Sequence, residues 1–237
     1  MTVHEIITKG HEVYLPNLSV DTVIFGYENG KLKCLLLKMG SRWMLPGGFV
    51  GKTEAVQEAA ERIVLERTGI ENPHLKFLSV CGSGTRSFKE DWDLIFPELG
   101  LKYDPNSWLI DRFVSLVHYS LLYIPSVNPK VTGSDTEAAW FPVDELPTMW
   151  FDHAQTVRQT RESLRVDVKL EQIAHHLLAK EFTMPQLHEV HQVILGMEVD
   201  RSRFQKKMLS LEIFERLEKN KVKSPGRNPY LYREIVP

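Results

Sequence analysis

The sequence predicts an α+β protein: an α/β/α sandwich with a mixed sheet over residues 1–150, a connecting helix over 151–166, and a helical domain ending in a hairpin over 167–237. Three observations predict it. Short β-branched and apolar runs, broken by turn residues, fill the first half around one unbroken helical stretch. After the prolines near residue 147 the pattern turns polar and helical. Basic residues then gather towards the end of a chain whose formal net charge is only −2.

Each element follows from local chemistry. SVDTVIFGY (19–27) and KLKCLLLK (31–38) flank the turn signal ENG (28–30), which predicts a β-hairpin. WMLPGGFVG (43–51) is glycine-rich and reads as a loop. From Glu54 to Thr68 no breaker interrupts a helical pattern, and Gly69 is placed to end it. Strands are expected at 75–82 and 113–124, with a strand and turn over 138–147. Between them, residues 86–111 are aromatic and proline-containing, which predicts a surface loop or lid. Beyond the connecting helix, LEQIAHHLLAK reads as one helix. TMPQ opens a second: Thr183 caps it, Pro185 suits the first turn and Gln186 completes a capping box. Gly196 stops it, and a third helix begins near Asp200. Strand residues flank the breakers Ser224, Pro225 and Gly226. Three helices and then a hairpin is the order of a winged helix-turn-helix.

Composition places the chain among ordinary globular proteins: 237 residues, 43% hydrophobic and 25% charged. Cys34 and Cys81 are far apart and form no CxxC pair, as expected of a reducing, cytoplasmic setting. The opening MTVHEIITKGHEVYL has no basic-then-apolar leader pattern, and no apolar run is long enough to span a bilayer, so no membrane association is expected.

The C-terminal third has the charge pattern of a nucleic-acid reader. Phe204, Met208 and Leu211 recur at helical spacing as an apolar face, while Arg203, Lys206, Lys207 and Ser210 fall on another. Residues 201–233 hold ten Lys/Arg against three acids, a local +7 that leaves −9 elsewhere. Arg201 joins the helix group, and Lys221, Lys223 and Arg227 surround the Pro-Gly turn, where a wing tip meets DNA. The bland alternative, a solvated charge run, explains neither the helix order nor the separated faces. His188 and His191 in HEVH are three apart, which does not fit the HExxH zinc spacing. His175 and His176, read as neighbours on a helix, are assigned to packing or surface.

From Gly48, GFVGKTEAVQEAAERIVLERTGI resembles the Nudix box, with Gly48, Glu54, Arg62, Val64, Glu66, Gly69 and Ile70 on the pattern. The resemblance covers roughly residues 18–147. Two positions depart from it: Ile63 stands where the box has the first glutamate of Arg-Glu, and Arg67 where it has the second of Glu-Glu. These positions lie four apart on one helical face, which in active members collects carboxylates around magnesium. Isoleucine and a permanent cation supply no oxygen ligand, so the resemblance implies neither hydrolysis, catalytic residue, metal nor other cofactor. The same cleft still suits a ligand: Asp21, Trp43, Gly47, Gly48, Glu66 and Arg67 are the candidate effector-binding residues.

Taken whole, the chain resembles the bacterial Nudix-related transcriptional regulators. FDHAQTVRQTRESLR matches their connecting helix, EFTMPQLHEVHQVILG with DRSRFQKKML their DNA-binding half, and GRNPYLYR the end of their wing. The 86–111 excursion replaces a tighter arginine-aspartate-proline turn and should border the pocket. The resemblance implies a homodimeric repressor-type regulator that binds double-stranded operator DNA and senses a small-molecule effector, either a sugar such as arabinose or an ADP-ribose-like metabolite. An active Nudix hydrolase of a nucleoside diphosphate derivative is the alternative. A metabolite-binding protein acting through protein partners is a third reading.

Overall fold

The computed structural model describes residues 3–102, 106–219 and 228–235. Helix α1 (Val3–Val13) leads into the long strand β1 (Tyr14–Glu28), which turns at Asn29–Gly30 into β2 (Lys31–Met39). Both turn residues have positive φ, 53° and 73°, the geometry that matches the twist of a tight antiparallel hairpin. Then come β3 (Arg42–Met44), β4 (Gly47–Gly51), α2 (Val56–Thr68), β5 (Lys76–Cys81), α3 (Lys89–Glu98), β6 (Val114–Leu122) and β7 (Glu137–Pro142). They form a seven-stranded mixed sheet with the path β3-β2-β1-β6-β5, in which β4 also pairs with β1 and β7 with β2. β1 runs parallel to β6 and antiparallel to β2 and β4. Its burial on both faces explains its near-continuous apolar run.

Three sequence expectations need correction. The glycine-rich 43–51 stretch is not a plain loop, because Val20 and Asp21 pair with Gly48 and Gly47 to make β4. The 86–111 excursion carries helix α3 and a 3₁₀ turn at Trp108–Ile110. Trp92, Ile95, Phe96 and Leu99 stand at i, i+3, i+4 and i+7 and pack inward, a stripe obscured by Pro97 in the last turn. The segment is therefore a packed wall. LEQIAHHLLAK is not one helix either: α4 (His153–Leu170) absorbs its start, Gln172 turns left-handed at φ 56°, and only a 3₁₀ turn, Ile173–Leu177, follows.

The second domain contains β8 (Phe182–Thr183), α5 (Met184–Leu195), α6 (Arg201–Ser210), β9 (Phe214–Lys219) and β10 (Tyr230–Glu234). The strands form a sheet of order β8-β10-β9. The capping box is present: Thr183 N–H donates to Gln186 Oε1 at 2.8 Å, and Thr183 Oγ1 accepts from Gln186 N. Asp200 caps α6 by accepting from Arg203 N at 2.7 Å. Phe204 and Met208 are buried, but Leu211 lies past the helix end and is exposed, so it is not the third anchor expected of it. The wing residues Lys221, Lys223 and Arg227 lie outside the described residues. Among the described residues, no helix is long and apolar enough to cross a membrane.

The two domains share one core. A single buried cluster runs from Val23, Phe25 and Leu36 through Leu164 and Val168 of α4 to Leu187, Val190 and Phe204. Polar contacts cross the same boundary: Tyr27 Oη donates to Glu189 Oε1 at 2.6 Å, and Lys76 Nζ reaches Asp167 at 3.0 Å. In α5, His191 stacks edge-on against Phe204 with centroids 4.7 Å apart. Its Nδ1 donates to Leu187 O at 2.9 Å, and its buried Nε2 has no hydrogen-bond partner. Burial, helped by nearby Lys207 and opposed by the hydrogen bond to the Leu187 carbonyl, brings its pKa down to about 4. A histidine neutral when folded binds its proton more readily when unfolded, so its stabilising contribution is full above its ordinary pKa and is lost as pH falls from about 6.5 towards 4. Denaturant melts should therefore show stability falling by up to about 3 kcal/mol over that window, and His191→Gln should flatten the fall.

Candidate functional site

A cavity of about 150 Å³ opens between β1, β4, α1, α3 and the start of α4. Its walls are apolar and aromatic, including Phe49, Phe88, Trp92 and Phe151. Phe88 and Phe151 lie 4.8 Å apart and Trp92 and Phe151 5.4 Å apart, so their rings form one continuous face. Ile6 and Ile7 of α1 close another side.

The polar floor is built around Arg86. Its side chain is only 5% exposed, and a buried guanidinium must have its donors satisfied. It makes a fork on Asp152, at 2.8 and 2.9 Å, while Nη1 donates to Ser115 Oγ at 2.7 Å and to the Phe113 and Cys81 carbonyls. Asp21 Oδ2 lies 3.8 Å away. Burial alone would lower Arg86's pKa, but the Asp152 fork and the Asp21 charge hold it above its ordinary value. On the other side of Asp21, His153 Nε2 faces Oδ1 at 3.4 Å. The Leu45 amide donates to His153 Nδ1 at 3.1 Å, so in the neutral ring the proton sits on Nε2 and points at the carboxylate. Burial, the largest influence on Asp21, raises its pKa; His153, Ser115 and Arg86 together outweigh it and hold the carboxyl below its ordinary value. Asp152 and His153 are the N-cap and first residue of α4, so the cavity floor is tied to the connecting helix.

Gly47 sits where β4 crosses Asp21. A Cβ there would lie 2.6 Å from Asp21 Oδ1 and 3.1 Å from Val20 O, so the close backbone approach requires glycine. Arg67 crosses the rim: Nε donates to Asp135 Oδ2 at 2.5 Å, Nη2 to Oδ1 at 2.6 Å, and Nη1 to Gly47 O at 2.7 Å. Asp135 is buried, so the guanidinium seals the cleft with a satisfied ion pair.

Of the six candidate effector residues, Asp21, Gly47, Gly48 and Arg67 line this cavity. Trp43 and Glu66 are not among its lining residues. Trp43 is half-buried and packs edge-on against Phe141 at 4.6 Å, against the main core rather than in the cavity wall. Glu66 is exposed and accepts from Arg62 Nη1 at 2.9 Å. Arg62 in turn forks onto Glu54 at 2.7 and 2.9 Å and reaches Phe49 O, so this trio fastens α2 to β4. Ile63 is buried beside Val20, Val50, Ala59 and Ala60. Arg86, Asp152, His153 and the aromatic wall escaped sequence reasoning. A lone arginine in CGSGTRSF carries no spacing signal, and its partners come from loops and strands far along the chain.

A second surface lies on α6. Arg201, Arg203, Lys206, Lys207 and Ser210 are all exposed, on the side away from buried Phe204 and Met208. Among the described residues no acid pairs with these four cations, whereas Arg233 on β10 is held by Glu215 at 2.7 Å. Ser210 Oγ donates to the Lys207 carbonyl at 2.8 Å.

Comparison with known proteins agrees with both halves. A family model described as the NUDIX domain matches residues 16–160, and one described as the NrtR DNA-binding winged helix domain matches residues 174–233. The chain is 25% identical over 228 residues to the ADPR responsive transcriptional repressor NtrR of Acinetobacter baylyi, covering 92% of this chain and 82% of that protein. Among solved structures it is similar to Shewanella oneidensis NrtR complexed with a 27mer DNA, at 24% identity and a TM-score of 0.69 over 92% of this chain and 93% of that one. It is similar also to a MutT/nudix family protein from Enterococcus faecalis, at 20% identity and a TM-score of 0.68 over 99% of this chain and 94% of that one. These structural likenesses speak for the fold. The chain belongs to the Nudix family, as a Nudix domain joined to a DNA-binding winged-helix domain of the NrtR type.

Proposed function

We propose that this protein is an effector-responsive transcriptional repressor, a homodimer on double-stranded operator DNA whose Nudix domain senses a metabolite without hydrolysing it. The observation that carries the reading is the join: the polar floor of the cavity grips Asp152 and His153, and α4 runs from there into the core beneath the cationic helix α6. A ligand that reorders the floor has a rigid path to the DNA-binding surface. The repressor relative, named for its response to ADPR, supports the same reading.

The donor set does not fit a divalent metal. Magnesium needs several oxygen ligands, but Ile63 is buried hydrocarbon, Arg67 is a cation bound to Asp135, and Glu66 is engaged by Arg62. The cavity instead suits a sugar: aromatic faces for ring stacking, and Asp21, Arg86 and His153 for hydroxyl groups. At about 150 Å³ it is smaller than the roughly 300 Å³ where drug-sized pockets begin. It takes a monosaccharide or the terminal ribose of an ADP-ribose-type ligand, with the remainder lying outside.

Arg203, Lys206 and Lys207 meet phosphates and base edges in the major groove, with Arg201 and Ser210 at the helix ends. Lys221, Lys223 and Arg227 serve the wing on this proposal. In gel-shift titrations against the chain's own upstream DNA, Arg203→Ala with Lys207→Ala should weaken binding at least about tenfold and flatten the salt dependence by roughly two counterions. Equal affinity of the unaltered protein for upstream and random duplex would sink the repressor reading.

Thermal-shift titration with ADP-ribose and with L-arabinose separates the two effector classes. Phe88→Ala should cost the true ligand about three- to tenfold in affinity through the lost aromatic contact. With Mg²⁺ or Mn²⁺ present, ADP-ribose should stay intact. Product release that disappears in Glu66→Gln would establish the hydrolase alternative.

A further inference from the structure

The 3₁₀ turn after α4 brings the rings of two consecutive histidines together, where a regular helix would point them apart. His175 is buried and His176 exposed, with ring centroids 4.3 Å apart at 62°. Both turn their Nε2 atoms towards Glu234 Oε2, His175 at 3.2 Å and His176 at 4.0 Å. Glu234 closes β10, so a turn and the last strand of the small sheet meet here.

His175 is the informative member. Its Nδ1 lies 2.9 Å from Gln172 O, and a carbonyl only accepts, so Nδ1 carries the proton. That fixes the tautomer in the way a carbonyl orients a metal-bound histidine, and leaves Nε2 as a bare lone pair. This Nε2 is buried and has no hydrogen-bond partner, although a carboxylate oxygen lies 3.2 Å away. With the ring neutral, two electron-rich atoms in such contact are reconciled by a positive charge shared between them, either a proton or a metal ion.

We propose that His175, His176 and Glu234 form a binding site for a dication of the zinc class, with its remaining coordination open to solvent. The three ligand atoms lie within 4.8 Å of one another. Zinc–nitrogen and zinc–oxygen bonds of about 2.0–2.2 Å in a tetrahedron separate ligand atoms by about 3.3–3.5 Å. The His175–Glu234 distance already sits near that edge, the His176–Glu234 distance is about half an ångström longer, and the two histidine nitrogens lie within 4.8 Å, so a turn of the exposed His176 ring closes the set. Two imidazoles and one carboxylate suit zinc and its neighbours and discriminate against magnesium. Of the cations that line the adjoining cleft, Lys76 is neutralised by Asp167 and Glu171 and Arg233 by Glu215, while Lys180 is paired with no acid among the described residues. His74 lines the same cleft. A bound ion would pin β10 to the turn below the connecting helix. The site is independent of the sensing cavity, so it stands whether or not the proposed repressor function does.

The test titrates chelator-treated full-length protein with Zn²⁺ against a chromophoric competitor, with Co²⁺ as the coloured substitute. One Zn²⁺ per chain should bind at micromolar concentration, raise the melting temperature, and give Co²⁺ the ligand-field bands of a low-coordinate nitrogen–oxygen site. His176→Ala and Glu234→Gln should each weaken binding at least about tenfold and abolish the melting shift. Mg²⁺ should do neither. The His176 ring is exposed, so that variant decides the matter if Glu234→Gln fails to fold. Absence of a micromolar site, or unchanged affinity in His176→Ala, overturns the proposal. So does a Glu234→Gln effect seen only in the pH dependence of melting, which would mark a proton-bridged ion pair.

Discussion

The buried guanidinium of Arg86 organises the upper half of the molecule. It cannot shed its charge, so burial obliges the fold to bring acceptors to it from separate places: Asp152 at the head of α4, Ser115 and the Phe113 carbonyl at the start of β6, and Asp21 from β1. Removing Asp152 would strand a buried cation, which is far costlier than never having buried one. The cavity floor and the position of α4 are thus set by one electrostatic requirement. The aromatic wall depends on it too, because Arg86 lies over the Phe88 ring at 4.5 Å.

Arg67 resolves a parallel problem at the rim. A cation on this face of α2 repels a neighbouring dication, and it fills the space with three well-made hydrogen bonds to Asp135 and Gly47. Ile63, one turn earlier, supplies packing against the β4 backbone near Gly48. The frame of the motif therefore persists through Glu54, Arg62 and Glu66, whose ion pairs hold helix to strand. On the proposed function this is the difference between a site that consumes its ligand and one that reports it. A coupling of about 1–3 kcal/mol between cavity and DNA suffices for such reporting.

Much of this was legible in the chain. The β1–β2 hairpin announces itself in ENG between apolar runs, the α5 cap in TMPQ, and α6 in the separation of Phe204 and Met208 from Lys206 and Lys207. These are signals of short range, read within a dozen residues. The cavity is different in kind. Ser115, Arg86 and His153 become neighbours only through the parallel β1–β6 pairing and the docking of α4, and pairings at such separations leave no periodic trace. Helix α3 is hard to read because its stripe is largely aromatic and ends in proline, and Trp43 is ambiguous because an aromatic beside a glycine turn suits either a core or a ligand. In a regular helix the consecutive histidines His175 and His176 would point apart. The left-handed Gln172 breaks that geometry just ahead of them.

The apolar cluster that passes unbroken from Val23 to Phe204 has a consequence for how this molecule comes apart. Because the lobes share this cluster, neither can melt while the other stays folded, and calorimetry would see a single cooperative event. A winged-helix fragment severed at α4 would carry half of that cluster into solvent and clump, and its failure to read DNA would then say nothing about the cationic surface.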